Sequence, residues 1–173
     1  MSPSINDYKH DVMYDIRTHL WFELREAGLF NASHYYSDNL GEDIIPIIPV
    51  QQMPEMNQFL NGKKHIVYDK IGLSYEENWV ICCEQILFTI YSTDLSEIAQ
   101  IRNMMTDVYR RMDETANDLN RDMILSDKYK FYSVFIADIS PTTPSEELAG
   151  FFSADVILEV KYARTVDEQG RFD

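Results

Sequence analysis

Basic residues are scarce in this chain. Its 173 residues hold 15 Lys and Arg against 29 Asp and Glu, a formal net charge of −14. Gripping duplex DNA through its phosphates needs clustered Lys and Arg, and so does docking on an anionic membrane; the charge balance argues against both. Cysteine is nearly lacking too. The two present, Cys82 and Cys83, are neighbours, so there is no disulfide framework and a reducing, intracellular setting is expected. Glycines are few and scattered, at 28, 41, 62, 72, 150 and 170, which leaves no GxGxxG or Walker pattern to cradle a phosphate. Long apolar runs are missing: Ile44 to Val50 is interrupted by Pro46 and Pro49, and no membrane-spanning helix is expected. Met1 to Tyr8 has neither a basic nor an apolar region, so no signal peptide is expected.

Catalytic constellations are equally hard to find. His10 and His19 fall on one predicted helix but not on adjacent turns, and His34 and His65 stand alone. Cys82 and Cys83 point to opposite faces of a predicted strand and cannot readily share a metal. Glu84, beside Cys83, works against a thiolate. The carboxylate pairs Glu76-Glu77, Asp113-Glu114 and Glu146-Glu147 read as solvated surface in so acidic a chain. No cofactor, no metal and no enzymatic activity are therefore expected.

What the chain does have is material for a core: 45% apolar and 13% aromatic residues, enough for one domain over 1–173 with flexible ends at 1–6 and 165–173. Tyr8, Val12, Ile16, Leu20 and Leu24 recur at helical spacing, predicting a helix over 7–27 that Gly28 stops. Trp21 and Phe22 widen its apolar stripe. A polar loop follows over 28–43. Ile44 to Val50 reads as an edge strand because proline cannot donate to a ladder. His65 to Ile71 and Trp79 to Tyr91 are strands, with a hairpin tip at Gly72 to Asn78. Asp94 and Glu97 have capping-box spacing, and Ile98, Ile101, Met105, Val108, Met112 and Leu119 form one seam of a helix from about 95 to 119. Tyr129 to Ile139 and Ser153 to Arg164 are strands. Between them Thr143, Pro144 and Glu146 read as cap, first turn and capping partner of a short helical turn closed by Gly150.

The order α-β-β-β-α-β-β predicts an α+β fold, a mainly antiparallel sheet of four to five strands with two helices packed on one face. A sheet covered on one face normally alternates apolar with polar. Here Trp79, Ile81, Cys83, Leu87 and Tyr91 make a second apolar face opposite Val80, Cys82, Ile86, Phe88 and Ile90. Tyr129 to Ile139 is also apolar on both sides, with Phe131, Phe135, Ala137 and Ile139 against Tyr132, Val134 and Ile136. A loop or a neighbouring subunit must cover part of that face, and the subunit is the favoured reading. On the last strand Asp155 and Glu159 lie opposite Val156, Leu158 and Val160, and Asp138 ends the strand before it.

The stretches IIPIIPVQQMPEM at 44–56, HIVYDKIG at 65–72, WVICCEQILFTIYSTDLSEIAQIRNMMTDVYRRMDETANDLN at 79–120 and VILEVKYAR at 156–164, in this order after a first helix, resemble the tail terminator (tail-to-head joining) proteins of tailed bacteriophages. The junction Ile90-Tyr91-Ser92-Thr93-Asp94 is the most similar part, and the likeness spans about residues 5–165. It is a likeness of element order, not of a catalytic motif. It implies a structural virion protein, made in the host cytoplasm and found in the tail or neck. Its copies would form a homohexameric ring at the head-proximal end of the tail, where the ring ends tube assembly. Its partners would be itself, the tail tube or sheath protein, and a neck or head-completion protein, with DNA passing through the channel unbound. On this reading Trp79, Ile81, Leu87 and Tyr91 are candidate subunit-interface residues, and Asp138, Asp155 and Glu159 are candidate acidic channel lining. A head-tail neck adaptor or other tail-completion protein is the alternative, and a cytoplasmic protein-binding adaptor a third reading.

Overall fold

The computed structural model describes residues 12–31, 35–38, 41–60, 62–76, 81–109, 116, 119–121 and 129–164. The expected flexible ends at 1–6 and 165–173 lie outside the described residues, as do Tyr8, Trp79 and Val80. The fold is α+β, built on a mixed sheet of six strands.

Helix α1 (Val12–Glu26) buries Val12, Ile16, Leu20 and Leu24, the stripe its spacing predicts, and Met13 beside them. Trp21 joins the buried side, whereas Phe22 is 51% exposed; one step along a helix turns a side chain by about 100°. Gly28, at φ +75°, stops the helix. Its N–H donates to the Arg25 carbonyl at 2.9 Å and the Leu29 N–H donates to the Leu24 carbonyl at 3.1 Å, the paired closure that a left-handed residue permits. The loop beyond contains a small antiparallel pair, β1 (Tyr36–Ser37) and β2 (Glu42–Asp43). The buried Tyr35 donates its hydroxyl to the Lys64 carbonyl at 2.6 Å.

The sheet differs from the expected antiparallel one of four to five strands in having six strands and one parallel pair. β3 (Ile47–Pro49) runs parallel to β4 (His65–Tyr75). A parallel neighbour needs a crossover. Here a 3-10 turn at Val50–Gln52 and the short helix α2 (Met53–Met56) begin the return. β4 is longer than predicted and takes in Gly72, with a bulge between Lys70 and Gly72 instead of a hairpin tip there. β5 (Ile81–Ser92) pairs with β4 on one side and with β8 (Phe152–Arg164) on the other, and β6 (Tyr129–Ile139) pairs with β8. The order across the sheet is β3-β4-β5-β8-β6. The predicted helical turn at 143–146 is replaced by β7 (Thr143–Pro144), a sixth strand paired with Ser153 and Phe152. The Ser145 Oγ accepts from the Leu148 N–H at 3.1 Å in the turn that follows.

Helix α3 (Leu95–Tyr109) lies across β5, β8 and β6, and α1 packs against α3. Its Ile98, Ile101, Met105 and Tyr109 are fully buried. Asp94 caps the helix through the Ser96 N–H at 2.9 Å. The predicted box does not close on itself: the Glu97 carboxylate instead accepts from the Ser92 hydroxyl at 2.7 Å and pairs with Lys64 at 3.4 Å. The sheet face under the helices carries Ile66, Tyr68, Ile86, Phe88, Ile90, Val156, Leu158, Val160, Tyr162, Phe131 and Val134, all in one core. Simple alternation fails on β6. Register shifts between Phe131 and Ser133 and between Ile136 and Asp138 put Phe131, Val134 and Ile136 on the core side, because each bulge adds a residue and reverses the facing of the residues beyond it.

Candidate functional site

The other face of the sheet carries the candidate interface and channel residues. The strand registers put Thr89 beside Asp155, Leu87 beside Ile157, Gln85 beside Glu159, Cys83 beside Lys161 and Ile81 beside Ala163. Phe135 stands beside Glu159 and Asp138 beside Ile157. The candidate interface residues Ile81, Leu87 and Tyr91 and the candidate channel residues Asp138, Asp155 and Glu159 therefore share one face; Trp79 lies outside the described residues. Leu87, Asp155, Ile157, Glu159 and Phe135 are half-buried and Asp138 is exposed. Apolar and polar side chains alternate along the strands of this face, Asp155, Ile157 and Glu159 on β8 and Gln85, Leu87 and Thr89 on β5, so it is neither a continuous apolar patch nor a continuous acidic wall.

Its acids are held in place. Asp155 Oδ1 accepts from the Thr89 hydroxyl at 2.8 Å, and the Asp155 backbone N–H donates to Ser140 Oγ at 2.8 Å. Glu159 Oε1 accepts from the Cys83 thiol at 3.1 Å. Burial, and then the Glu159 carboxylate, push that thiol up to about 11, which leaves Cys83 a protonated donor at neutral pH and an unreactive one. Lys161 pairs with Glu76 at 3.5 Å. Cys82, on the opposite side of the strand, is buried in the core.

One end of the face is covered. The connector from Ser140 to Phe151 returns over it, tied to α3 by Arg102, whose guanidinium donates to the Ser140 carbonyl and the Thr142 hydroxyl, both at 3.3 Å. Tyr91, 7% exposed, donates its hydroxyl to Glu147 at 3.1 Å. Burial and this carboxylate hold its phenol well above the usual range. His65 stacks on Tyr91 at 5.2 Å and meets the edge of Phe151 at 5.9 Å. An open groove of about 750 Å³ runs between Leu87, Thr89, Tyr91, Ser153 and Asp155 on the sheet and Thr143 to Glu147 on the connector. Glu146 and Glu147, plain surface by sequence, thus rim this groove. Only the hairpin pairing of β7 with β8 brings them there, and Gly150 at φ +81° is the one local sign of that turn.

Among the described residues no group of three or more His, Cys, Asp and Glu side chains is disposed to hold a metal ion, and no helix is long and apolar enough to cross a membrane. Comparison with protein-family models yields no match, and comparison with curated proteins yields none either.

Proposed function

We propose that this chain is a structural virion subunit of the tail-terminator kind. Its copies form a ring at the head-proximal end of a phage tail, end tube assembly and join the tail to the neck, while DNA passes through the channel. The observation that carries this reading is the second face of the sheet, which Asp138, Asp155 and Glu159 share, the first exposed and the other two half-buried. A wall that lets DNA slide must not hold phosphate, and fixed carboxylates repel it. The net charge of −14 points the same way. On this reading the partners are further copies of the chain, the tail tube or sheath protein, and a neck or head-completion protein, and the chain performs no catalysis.

Electron microscopy of the purified protein tests the proposal. Closed sixfold rings are expected. Twelvefold rings would move the subunit to a neck adaptor joining portal and tail, and a protein that stays monomeric at every concentration would overturn both readings.

A further inference from the structure

Among the described residues, parts of both sheet edges have no partner strand. β3 pairs only with Ile66 to Tyr68 of β4, so from Asp69 to Tyr75 the outer edge of β4 has no partner strand among the described residues. That stretch carries three large apolar side chains in the open: Ile71 at 46%, Leu73 at 55% and Tyr75 at 47% exposure. Natural edges are normally blunted by charge, proline or cover, and one left apolar and exposed is a template for another strand. Lys70 is the stretch's sole basic residue, and it is engaged with Glu84 of the neighbouring strand at 3.7 Å. β6 is the terminal strand on the other side. Its Phe131 backbone is already occupied, since Asn120 accepts from the Phe131 N–H at 2.8 Å and donates to its carbonyl at 2.9 Å. From Val134 onward no described strand lies outside it.

The two edges match in height and in strand direction. Across the sheet Asp69 stands beside Leu87, Leu87 beside Ile157, and Ile157 beside Asp138. Leu73 stands beside Glu84, Glu84 beside Val160, and Val160 beside Val134. The free stretch of β4 and the stretch Val134 to Asp138 of β6 therefore sit level on opposite edges. The steps β4 to β5, β5 to β8 and β8 to β6 are all antiparallel, so β4 and β6 run in opposite directions. A rotation about an axis parallel to the strands keeps both height and direction. It brings β4 of one copy against β6 of the next as an antiparallel pair.

We infer that copies of this chain join edge to edge, the Lys70–Tyr75 stretch of β4 adding to the Val134–Asp138 stretch of β6 in the neighbouring copy; the inference rests on the ring reading and specifies its contact. Leu73 and Val134 lie on the helix side of the sheet, so the pairing extends one subunit's core into the next. The contact is heterologous, and heterologous contacts close into rings when the rotation allows. The sheet then runs on from subunit to subunit.

The test compares the parent with an Ile71→Lys/Leu73→Lys variant by analytical ultracentrifugation over a concentration series, with amide hydrogen exchange on the assembled and dissociated forms. Both positions are exposed, so the variant keeps the parent's thermal unfolding. Its half-assembly concentration rises about a hundredfold or more, as desolvating two lysines against a mainly apolar neighbouring strand requires. In the parent, amides of 70–75 and 134–138 exchange more slowly in the ring than in the monomer. A parent ring that the variant leaves intact, or rings in which those two stretches gain no protection, would overturn the edge pairing alone. A parent that never assembles overturns the ring reading and the pairing with it.

Discussion

Replacing Asp155 and Glu159 by Lys puts the acidic-channel reading to a direct trial. Each replacement raises the formal charge by two, so the pair takes each subunit from −14 to −10, with the change concentrated on one sheet face and repeated in every copy. The exchange is not free for folding. Asp155 loses the Thr89 hydroxyl at 2.8 Å and Glu159 loses the Cys83 thiol at 3.1 Å. Both acids are half-buried, so solvent discounts the loss, and the thiol is a weak donor. Together the two bonds are worth about 1–3 kcal/mol. For a domain of this size each kcal/mol moves the melting temperature by about 2–4 °C, which predicts a fall of about 2–12 °C with the fold retained. The Asp155→Asn/Glu159→Gln variant removes the same charge without reversing it and serves as the control. Binding to duplex DNA, followed by anisotropy from low to high salt, is the readout. The Lys variant gains binding that weakens with salt, with a log–log slope of about −0.9 for each phosphate engaged, while the parent and the amide control bind nothing. A folded, assembled Lys variant that gains no salt-sensitive binding would refute the assignment of these carboxylates to the channel.

Met105→Ala, at a fully buried position on α3, should cost about 2–5 kcal/mol, and Val108→Ala, half-buried one turn on, clearly less. Denaturant unfolding checks both, and equal effects would mean that α3 is rotated from the orientation described. His65 should make stability depend on pH. Its Nδ1–H donates to the Lys63 carbonyl at 2.8 Å while Nε2 is buried with no acceptor, and burial, partly offset by that carbonyl, holds the imidazole below its ordinary range. The unfolded chain therefore takes up the proton first, so stability is full above about pH 6.5 and falls as pH drops from there toward the folded value. His65→Phe should flatten that slope in urea titrations between pH 5 and 7 (about the range in which a free imidazole titrates), and an unchanged slope would show that His65 does not contribute to it.

Helices and central strands are legible in the sequence because each has a period that burial enforces. Ile98, Ile101 and Met105 fall on one side of any α-helix, and Val156, Leu158 and Val160 on one side of any strand. Gly28 announces a helix end that only a positive φ could make. Elements whose geometry departs from a period are not legible. β6 carries two bulges, so strict alternation puts Phe131 and Val134 on opposite faces although both point into the core. The cap of α3 looks like a reciprocal box because spacing does not reveal that Ser92 and Lys64 compete for Glu97. The groove is invisible in the sequence because Glu147 and Tyr91 lie far apart in the chain, and only the β7–β8 hairpin joins them.

Strands apolar on both sides suggest that a neighbour covers the second face of the sheet, yet the arrangement of residues divides that task. Tyr91 is already covered, by the connector through Glu147 and by His65 and Phe151. Leu87 and Ile157 are separated along their strands by Thr89 and Gln85 and by Asp155 and Glu159, whose polar atoms need solvent or each other. Docking a protein over this face would desolvate those carboxylates, at a cost that few apolar neighbours could offset. Three of the large apolar side chains left exposed, Ile71, Leu73 and Tyr75, lie instead along the β4 edge, where backbone groups also lack a partner strand among the described residues. Apolar area and unused hydrogen-bonding capacity thus coincide at the edge, while fixed carboxylates occupy the face. On the proposed ring reading, assembly energy drawn from the edges leaves the carboxylate-bearing face free to line a passage, and that division of labour follows where this chain has put its charge.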